Sequence, residues 1–364
     1  MGKKVTIITV LILLIIILSA GGYLYYKMYM ENNRKPQGEE SISEAEDEEV
    51  LMVPVEEKKV QIYQGEDRPI AVMIDNHKQA LPQGGLNDAF IVYEIIVEGG
   101  ESRLMAVFKG AKLDQIGPVR SARHYFLDYA LENDAIYVHF GWSPQAEYDI
   151  KSLKVQNIHG IQESSTSFWR VKDKYAPHNV ATSTEKILEI AERKGYRTTS
   201  EAESLLKYTV DEVNLEDGMA ADTVTIPYMG SNITKYVYNP ETKRYQRYSK
   251  GIEEKDWNTG EAVTAKNIIV TFARNYTLTD SENKGRQGLE NIGTLKGYYI
   301  TNGRAIEITC EKSSRSEKTV YKDLEGNEIN VNDGNTYIQI CPINAKVEIE
   351  GNEIEEEEQE EVAE

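Results

Sequence analysis

The chain of 364 residues carries a formal net charge of −19, with 40 % hydrophobic and 9 % aromatic residues. This length is typical of two ordinary domains with appendages, and the apolar content is sufficient for globular cores. The acidic excess argues against a nucleic-acid partner, because nucleic-acid binding depends on a basic surface that releases counterions from phosphates.

The N-terminal residues 1–27 are predicted to form a transmembrane anchor. Lys3 and Lys4 precede an uncharged run from Val5 to Tyr26, which is long enough to cross a bilayer core of about 30 Å at about 1.5 Å per residue. A cleaved signal peptide is the alternative, although its apolar region is normally shorter. We therefore expect a cell-membrane protein with a single N-terminal span and its body on the extracytoplasmic face.

An acidic, disordered stalk over residues 28–62 is expected to precede an α/β domain over residues 63–210. The stretch "RPIAVMID" predicts a buried first strand. Two more strands are predicted in "AFIVYEIIVEGG" and "SRLMAVFKG", joined as a hairpin across Gly99 and Gly100.

Three helices and a further strand complete this predicted domain. The first helix is placed from Val119 to Glu132, and "AIYVHF" follows as a strand. Ser143 is suited to cap a second helix. A third helix is placed in "TSTEKILEIAERKG", where Thr182 and Glu185 form a capping box.

Residues 219–350 are predicted to form a β-rich domain, followed by an acidic tail over residues 351–364. Stretches such as "TKYVYNPETKRYQRYSKG" alternate tyrosine with polar residues, and turn residues separate them. The predicted fold class is therefore mixed α+β, with an N-terminal transmembrane helix, an α/β domain and a β-rich C-terminal domain.

Cysteine and histidine spacing predicts neither a metal site nor a cofactor. Cys310 and Cys341 lie in strand-like stretches without C-x-x-C or Cys/His zinc spacing. A disulfide and two buried free thiols are both compatible with these positions. The five histidines lie in the first predicted domain without metal-ligand spacing, and no dinucleotide or Walker loop is present.

The motif "GPVRSARHYFLDYA" (117–130) predicts an anion site at a helix N-terminus. Arg120, Ser121 and Arg123 belong to the start of the predicted helix, where backbone N–H groups lack intrahelical partners. Free amides, the helix dipole and two guanidiniums together suit a phosphate or a carboxylate. The alternative is a structural role in which these arginines pair with nearby glutamates.

Glu94 and Glu98 are the nearest candidate partners, and we expect them on the same face of one strand. They could orient the guanidiniums as supporting carboxylates, or they could serve acid–base chemistry.

Two further pairs of polar residues are candidate ligand contacts. His139 at a strand end and Ser143 at the following helix start are expected to flank a strand-to-helix crevice of the kind that binds ligands. His178 and Asn179 lie in the loop "APHNV", for which turn chemistry is the alternative. No nucleophile elbow is present, so no catalytic residue is assigned.

These motifs together resemble the YerB-like family of bacterial lipoproteins. The resemblance covers roughly residues 65 to 345 and includes "RPIAVMIDN", "VYEIIVEGGESR", "IGPVRSARHYF", "VHFGWSP", "APHNV" and "YNPETKRYQRY". It implies a mainly Gram-positive cell-surface protein with an α/β and a β domain, and it implies no particular activity. The characteristic polar residues of the family correspond by position to Glu94, Glu98, Arg103, Arg120, Ser121, Arg123, His139, Ser143, His178 and Asn179.

One feature departs from the family. Members commonly carry a lipobox cysteine at the end of the signal region, whereas "LSAGG" has glycine at that point. The resemblance therefore implies the same location outside the membrane, with a transmembrane anchor in place of a lipid.

Three functions follow as hypotheses. The first is a membrane-anchored extracytoplasmic protein that binds an anionic, phosphate-bearing cell-envelope ligand. The second is an enzyme that modifies an envelope polymer with Glu and His acid–base groups, and the third is a protein-interaction module whose partner is not identified. The candidate ligand-binding residues are Arg103, Arg120, Ser121, Arg123, His139, Ser143, His178 and Asn179, with Glu94 and Glu98 as supporting carboxylates.

Overall fold

The structure is a computed structural model that describes residues 59–280 and 282–352. The α-helices in these residues are α1 (Phe126–Glu132), α2 (Pro144–Ser152) and α3 (Thr184–Arg193). Short 3-10 helices are present at Lys78–Ala80, Leu86–Asp88, Glu98–Gly100 and Gly160–Gln162. The strands of the first half are β1 (Ile70–Asp75), β2 (Ile91–Ile96), β3 (Ser102–Phe108), β4 (Ile136–His139), β5 (Asn157–His159), β6 (Trp169–Arg170), β7 (Val180–Ala181) and β8 (Tyr208–Thr209).

The second half of the described chain is built almost entirely from strands. They are β9 (Met219–Ala220), β10 (Thr223–Met229), β11 (Asn232–Asn239), β12 (Arg244–Ser249), β13 (Ile252–Glu253), β14 (Thr264–Ala265), β15 (Asn267–Thr277), β16 (Gln287–Glu290), β17 (Gly293–Thr301), β18 (Arg304–Lys312), β19 (Val320–Lys322), β20 (Val331–Asn332), β21 (Thr336–Pro342) and β22 (Glu348–Glu350).

One twelve-stranded sheet contains strands from both halves. Its main path runs β19-β18-β17-β15-β21-β2-β3-β1-β4-β5, with β16 beside β15 and β9 beside β18. The two halves meet at the parallel pair of β2 and β21, in which Tyr93 lies opposite Ile338. A second, six-stranded sheet has the order β13-β12-β11-β10-β22, with β14 beside β12.

Alternation along the central strands determines which layer covers each face of the large sheet. All six residues of β1 are buried. Val72 belongs to an apolar cluster that includes Tyr236 of the six-stranded sheet. Its neighbour Met73 belongs to a second cluster that includes Phe126 of α1. The large sheet is therefore covered by the second sheet and α3 on one face and by α1 and α2 on the other.

The predicted fold class is wrong in its balance of helix and strand. The described residues are mostly β-strand, and their α-helices contain only seven, nine and ten residues. The helix expected from Val119 to Glu132 begins instead at Phe126. Residues 119–122 are not helical, because the N–H groups of Val119, Arg120 and Ala122 donate to carbonyls of β7, of β1 and of the residues after β4.

The predicted fold class also included an N-terminal transmembrane helix, and the residues that the structure describes contain none. The predicted anchor at residues 1–27 lies outside the described residues, as do residues 28–58 of the stalk and residues 353–364 of the tail. Within residues 59–280 and 282–352, no helix is both long enough and apolar enough to span a bilayer.

Several local predictions are confirmed. The hairpin of β2 and β3 forms around Gly99 and Gly100, and the two strands pair antiparallel. Ser143 caps α2 by accepting a hydrogen bond from the Ala146 N–H at 3.2 Å. The predicted cap of α3 is wrong by one residue, because Ser183 caps this helix instead of Thr182.

Candidate functional site

Most of the candidate residues lie near one edge of the large sheet, where β1 ends. β1 and β4 are parallel, with Val72 opposite Val138, so Asp75 and His139 end neighbouring strands at the same edge. The antiparallel β3 begins at this edge, and its Arg103 lies opposite Asp75.

Residues 119–122 of the arginine motif cross this edge in extended conformation. The N–H groups of Arg120 and Ala122 donate, at 2.8 and 2.9 Å, to carbonyls near the ends of β1 and β4. The predicted placement of these residues at a helix N-terminus is therefore wrong, because these amides already have acceptors and α1 begins only at Phe126. Anion binding by the arginines stays a prediction. The guanidiniums are the groups that remain suited to an anion.

Asp75, the last residue of β1, is the centre of the site. Its Oδ2 lies 2.7 Å from Nδ1 of His178 and 3.1 Å from Nε of Arg120. Its Oδ1 accepts a hydrogen bond from the backbone N–H of His77 at 3.2 Å. The Arg120 contact is an ion pair that lacks hydrogen-bond alignment, so the buried Nε of Arg120 has no acceptor among the described residues.

The hydrogen bonds of two stacked histidines, His77 and His178, show which ring nitrogen of each carries a proton. The rings of His77 and His178 lie 4.3 Å apart with an interplanar angle of 14°. Nδ1 of His77 accepts from the Gln79 N–H at 3.2 Å, so this nitrogen carries no proton. A carboxylate only accepts hydrogen bonds, so Nδ1 of His178 donates to Asp75 and its Nε2 carries the lone pair in the neutral ring.

Arg103 is a buried guanidinium that contacts no carboxylate of the described residues. It is 6 % exposed, and Nη1 donates to the Ser121 carbonyl at 2.7 Å. Its Nε is buried without an acceptor in the same part of the chain. Burial, together with the positive charge of Arg123, lowers the pKa of Arg103 to about 10, so the group remains charged at neutral pH.

Arg123 and Glu98 form a bidentate pair beside Arg103. Nε of Arg123 donates to one carboxylate oxygen of Glu98 at 2.8 Å, and Nη2 donates to the other. Burial raises the pKa of Glu98, but the hydrogen bonds and charge of Arg123 outweigh that effect and lower the pKa to about 2. Glu98 therefore pairs with and orients an arginine, Arg123, as expected of a supporting carboxylate.

The arginine cluster, defined as Arg103, Arg120 and Arg123 with Asp75 and Glu98, has an uneven charge balance. Three guanidiniums share two carboxylates, and the ion pairs join Arg120 to Asp75 and Arg123 to Glu98. The guanidinium left over is that of Arg103 on β3, which is 6 % exposed. The cluster therefore has an excess of one positive charge, which an anion could neutralise.

Glu94 does not belong to this cluster, and the prediction that Glu94 and Glu98 lie on the same face of one strand is wrong. β2 ends at Ile96, so Glu98 lies beyond the strand on which Glu94 is buried. Glu94 instead contacts Arg247 at 2.7 Å, and Arg247 also pairs with Glu254. Burial raises the pKa of Glu94, but the charge of Arg247 together with hydrogen bonds from Ser102 and Arg247 outweighs burial and holds the pKa below its usual value.

His139 and Ser143 both form hydrogen bonds within the protein. Nδ1 of His139 lies 2.8 Å from the Gly141 carbonyl, and its Nε2 lies 2.8 Å from the Asn157 amide nitrogen. Burial lowers the pKa of His139 to about 3, so its ring is neutral. Since Ser143 caps α2, the geometry does not form a Ser–His nucleophile; ligand contact by either residue stays a prediction.

Ser121 and Asn179 support the chain around the cluster. Oγ of Ser121 donates to the Phe140 carbonyl at 3.1 Å. Oδ1 of Asn179 accepts from Arg170 at 2.6 Å, beside the loop that carries His178. These bonds fix backbone positions next to the site, and a direct contact with a ligand stays a prediction for both.

The sequence analysis did not identify Asp75 or the role of His77. Both lie in "MIDNH", which contains the last three residues of buried β1 and the two residues after it. A run of polar residues at the end of a buried strand is a signal for a ligand site in sheets with parallel strands. That signal could have identified Asp75, whereas its partner His178 is 103 residues away in the chain.

Comparisons with known proteins agree with this architecture. Residues 56–197 match the family described as "Protein of unknown function (DUF3048) N-terminal domain", and residues 224–338 match the corresponding C-terminal domain. The chain is 32 % identical over 303 residues to the Bacillus subtilis protein named "Putative lipoprotein YerB", which covers 80 % of this chain and 86 % of the relative. The crystal structure of YerB protein from Bacillus subtilis has a TM-score of 0.69 at 31 % identity, and the match covers 78 % of this chain and 94 % of that one.

The family resemblance predicted from the motifs is thus confirmed by sequence and by structure. Both family descriptions apply in the expected order along one chain, and the relative matches over most of its own length. The chain therefore belongs to the YerB-like family of DUF3048 proteins.

Proposed function

We propose that this protein binds an anionic, phosphate-bearing ligand of the cell envelope, with Arg103 and Arg120 as its principal donors. The observation that carries the proposal is the burial of Arg103 without a carboxylate partner among the described residues. Its guanidinium is 6 % exposed, has no carboxylate partner in the described residues and has an Nε without an acceptor. A phosphate oxygen beside Arg103 would supply both the missing acceptor and the missing charge.

The energetic cost of a buried charge without an ion-pair partner supports the proposal that Arg103 binds an anion. An effective penalty of several kcal/mol is typical of a charge removed from water without compensation. Arg247 provides an internal contrast, because it is fully buried and contacts both Glu94 and Glu254. Departures from such pairing are expected at functional sites, where the compensating group is the ligand.

The charge balance of the arginine cluster favours a ligand group with a single negative charge. One such charge neutralises the excess left after Arg120 and Arg123 pair with Asp75 and Glu98. The planar guanidinium presents its N–H groups at a spacing that matches the oxygens of a phosphate.

We also propose a membrane-associated position at the cell surface, outside the cytoplasm. Support comes from the Bacillus subtilis relative, which carries the word lipoprotein in its name. Lipoproteins are held at a membrane through covalently attached lipid.

The test is a titration of the full chain with diethyl phosphate, with uncharged triethyl phosphate as the matched ligand control. We expect diethyl phosphate to stabilise the protein, by about 2.7 kcal/mol at a concentration 100 times its Kd, and triethyl phosphate to have no effect. Arg103→Met should abolish this stabilisation. Without ligand, Arg103→Met should raise the free energy of unfolding by about 1 kcal/mol, because it removes a buried charge that has no ion-pair partner among the described residues.

Arg247→Met is the matched variant, since it makes the same replacement at a buried arginine that has carboxylate partners. It should lower the free energy of unfolding by about 3–5 kcal/mol, because it leaves Glu94 and Glu254 buried without their partner. Urea denaturation measures both effects. A loss of similar size in Arg103→Met, or no response of the wild type to diethyl phosphate, would show that Arg103 is structural.

A further inference from the structure

We propose that His178 and Asp75 form a proton-transfer pair that hydrolyses a phosphodiester held by the arginine cluster. This inference rests on the proposed function, because it requires the anion to be bound beside Asp75. His178 is the catalytic residue in this proposal, and Asp75 is the positioning residue behind it.

The geometry of the pair is that of an imidazole oriented by a carboxylate. Nδ1 of His178 lies 2.7 Å from Oδ2 of Asp75, and the two residues are 8 % and 4 % exposed. The other oxygen of Asp75 accepts from the His77 N–H at 3.2 Å. The carboxylate is therefore held through both oxygens, and it fixes the tautomer of His178.

The reactive nitrogen of His178 is available. No described residue forms a hydrogen bond with Nε2, and this atom is not among the buried polar atoms that lack a partner. The ring plane is fixed by stacking on His77 at 4.3 Å. An oriented imidazole with a free lone pair on a partly accessible nitrogen is the arrangement of a general base.

The anion donors lie next to this base. Arg120 and His178 contact the same oxygen of Asp75, at 3.1 and 2.7 Å. The two side chains therefore lie side by side around one carboxylate oxygen. In this proposal the phosphoryl group lies where the guanidinium of Arg120 and Nε2 of His178 both reach it, and guanidiniums stabilise the charge that develops on phosphoryl oxygens during transfer.

The excess of one positive charge selects the substrate class. A phosphodiester carries one negative charge, which matches the cluster, whereas a phosphomonoester carries close to two at neutral pH. Phosphodiester links join units of phosphate-bearing polymers, the ligand class proposed above.

The step is a hydrolysis with water as the second reactant. The water oxygen forms a new bond to phosphorus, one proton of the water passes to Nε2 of His178, and the bond from phosphorus to the leaving oxygen breaks with its electron pair. His178 then returns the proton to the leaving alkoxide. The products are a phosphomonoester and an alcohol, and no oxidant or reductant takes part.

The experiment measures binding and turnover separately in the full chain. Turnover is followed as release of p-nitrophenolate from bis(p-nitrophenyl) phosphate, and binding as the Kd for diethyl phosphate. His178→Gln should reduce kcat by about 10²–10⁴-fold, the usual contribution of a general base, with the Kd unchanged. His124→Gln is the matched control, because this half-buried histidine forms no hydrogen bond to Asp75 or to the three arginines of the cluster, and both its kcat and its Kd should be those of the wild type.

Asp75→Asn separates positioning from a purely structural role. It should reduce kcat while the Kd stays equal or falls, since one negative charge is removed from the cluster. Circular dichroism and thermal melting verify that each variant is folded. If His178→Gln does not fold, His178→Asn and the Asp75→Asn measurement provide the same comparison.

Each outcome has one meaning. Binding of diethyl phosphate without turnover of the diester in the wild type would overturn this inference and leave the proposed function intact. Absence of both binding and turnover would overturn both. Full turnover in folded His178→Gln would exclude His178 as the base.

Discussion

Glu98 illustrates at the residue scale how the arginine cluster governs ionisation. Its side chain is 27 % exposed and pairs with Arg123. Burial raises the pKa of Glu98, but Arg123 lowers it from 4.5 to about 2. A carboxyl whose pKa is lower in the folded than in the unfolded state stabilises the fold above its unfolded pKa. It loses that contribution as the pH falls through its folded pKa.

We therefore expect the stability difference between the wild type and Glu98→Gln to depend on pH. The wild type should be more stable above a pH of about 4.5, and the difference should decrease to zero as the pH approaches about 2. Urea unfolding of both proteins across this range measures the difference. Glu290→Gln is the control, because Glu290 is 53 % exposed in its pair with Arg274 and should contribute less than about 1 kcal/mol at any pH. A difference for Glu98→Gln that does not change with pH would contradict the assignment.

At the scale of elements, the local sequence predicts the start of helix α2 correctly, but it predicts a start of α1 that is too early in the chain. Ser143 and Pro144 define the start of α2 by capping and by a preset backbone angle, both of which act within one turn. The segment before Phe126 has a helical pattern, but its N–H groups bond to carbonyls of β1 and of the residues after β4. Long-range backbone hydrogen bonds override a local helical pattern when they satisfy the same groups.

The cap of α2 gives a prediction at this scale. Ser143→Ala should lower the free energy of unfolding by about 1 kcal/mol, because the Ala146 N–H loses its acceptor at 3.2 Å. Ser152→Ala at the exposed C-terminal end of the same helix is the matched control and should change stability by less than about 0.5 kcal/mol. Thermal unfolding compares the two variants. Equal effects would show that the Ser143 hydroxyl is not the cap.

At the scale of the whole molecule, the large sheet depends on both halves of the chain. β2 lies between β3 and β21, and its residues Ile91 and Tyr93 are fully buried. One face of the large sheet is covered by the second sheet, which follows residue 218 in the chain. The domain boundaries predicted at 63–210 and 219–350 stay predictions, although strands from both segments share the large sheet.

A fragment of residues 59–218 is therefore expected not to fold independently. Without β21, the edge of β2 is exposed as an unpaired apolar strand, which favours aggregation. Size-exclusion chromatography and thermal unfolding of the fragment, beside the full chain, are the measurements. A monomeric fragment with a cooperative transition would contradict this expectation.

The sequence by itself determined the features that depend on neighbours in the chain. Mostly apolar runs indicated β1 and β2, two glycines indicated the hairpin between β2 and β3, and Ser143 indicated the start of α2. The spaced motifs also identified the family, which the relatives confirm. These signals are local because burial on a strand, a tight turn and a helix cap are each decided within a few residues.

The tertiary structure alone decided the mostly β architecture and the partners of each charge. Asp75 meets His178 across 103 residues, and Glu94 meets Arg247 across 153 residues. Arg103 is buried on β3 without an ion-pair partner among the described residues, and its neighbours in the chain do not indicate this. Charge pairing is set by strand order and register, and a sequence pattern specifies the face of a strand without specifying which distant strand lies beside it.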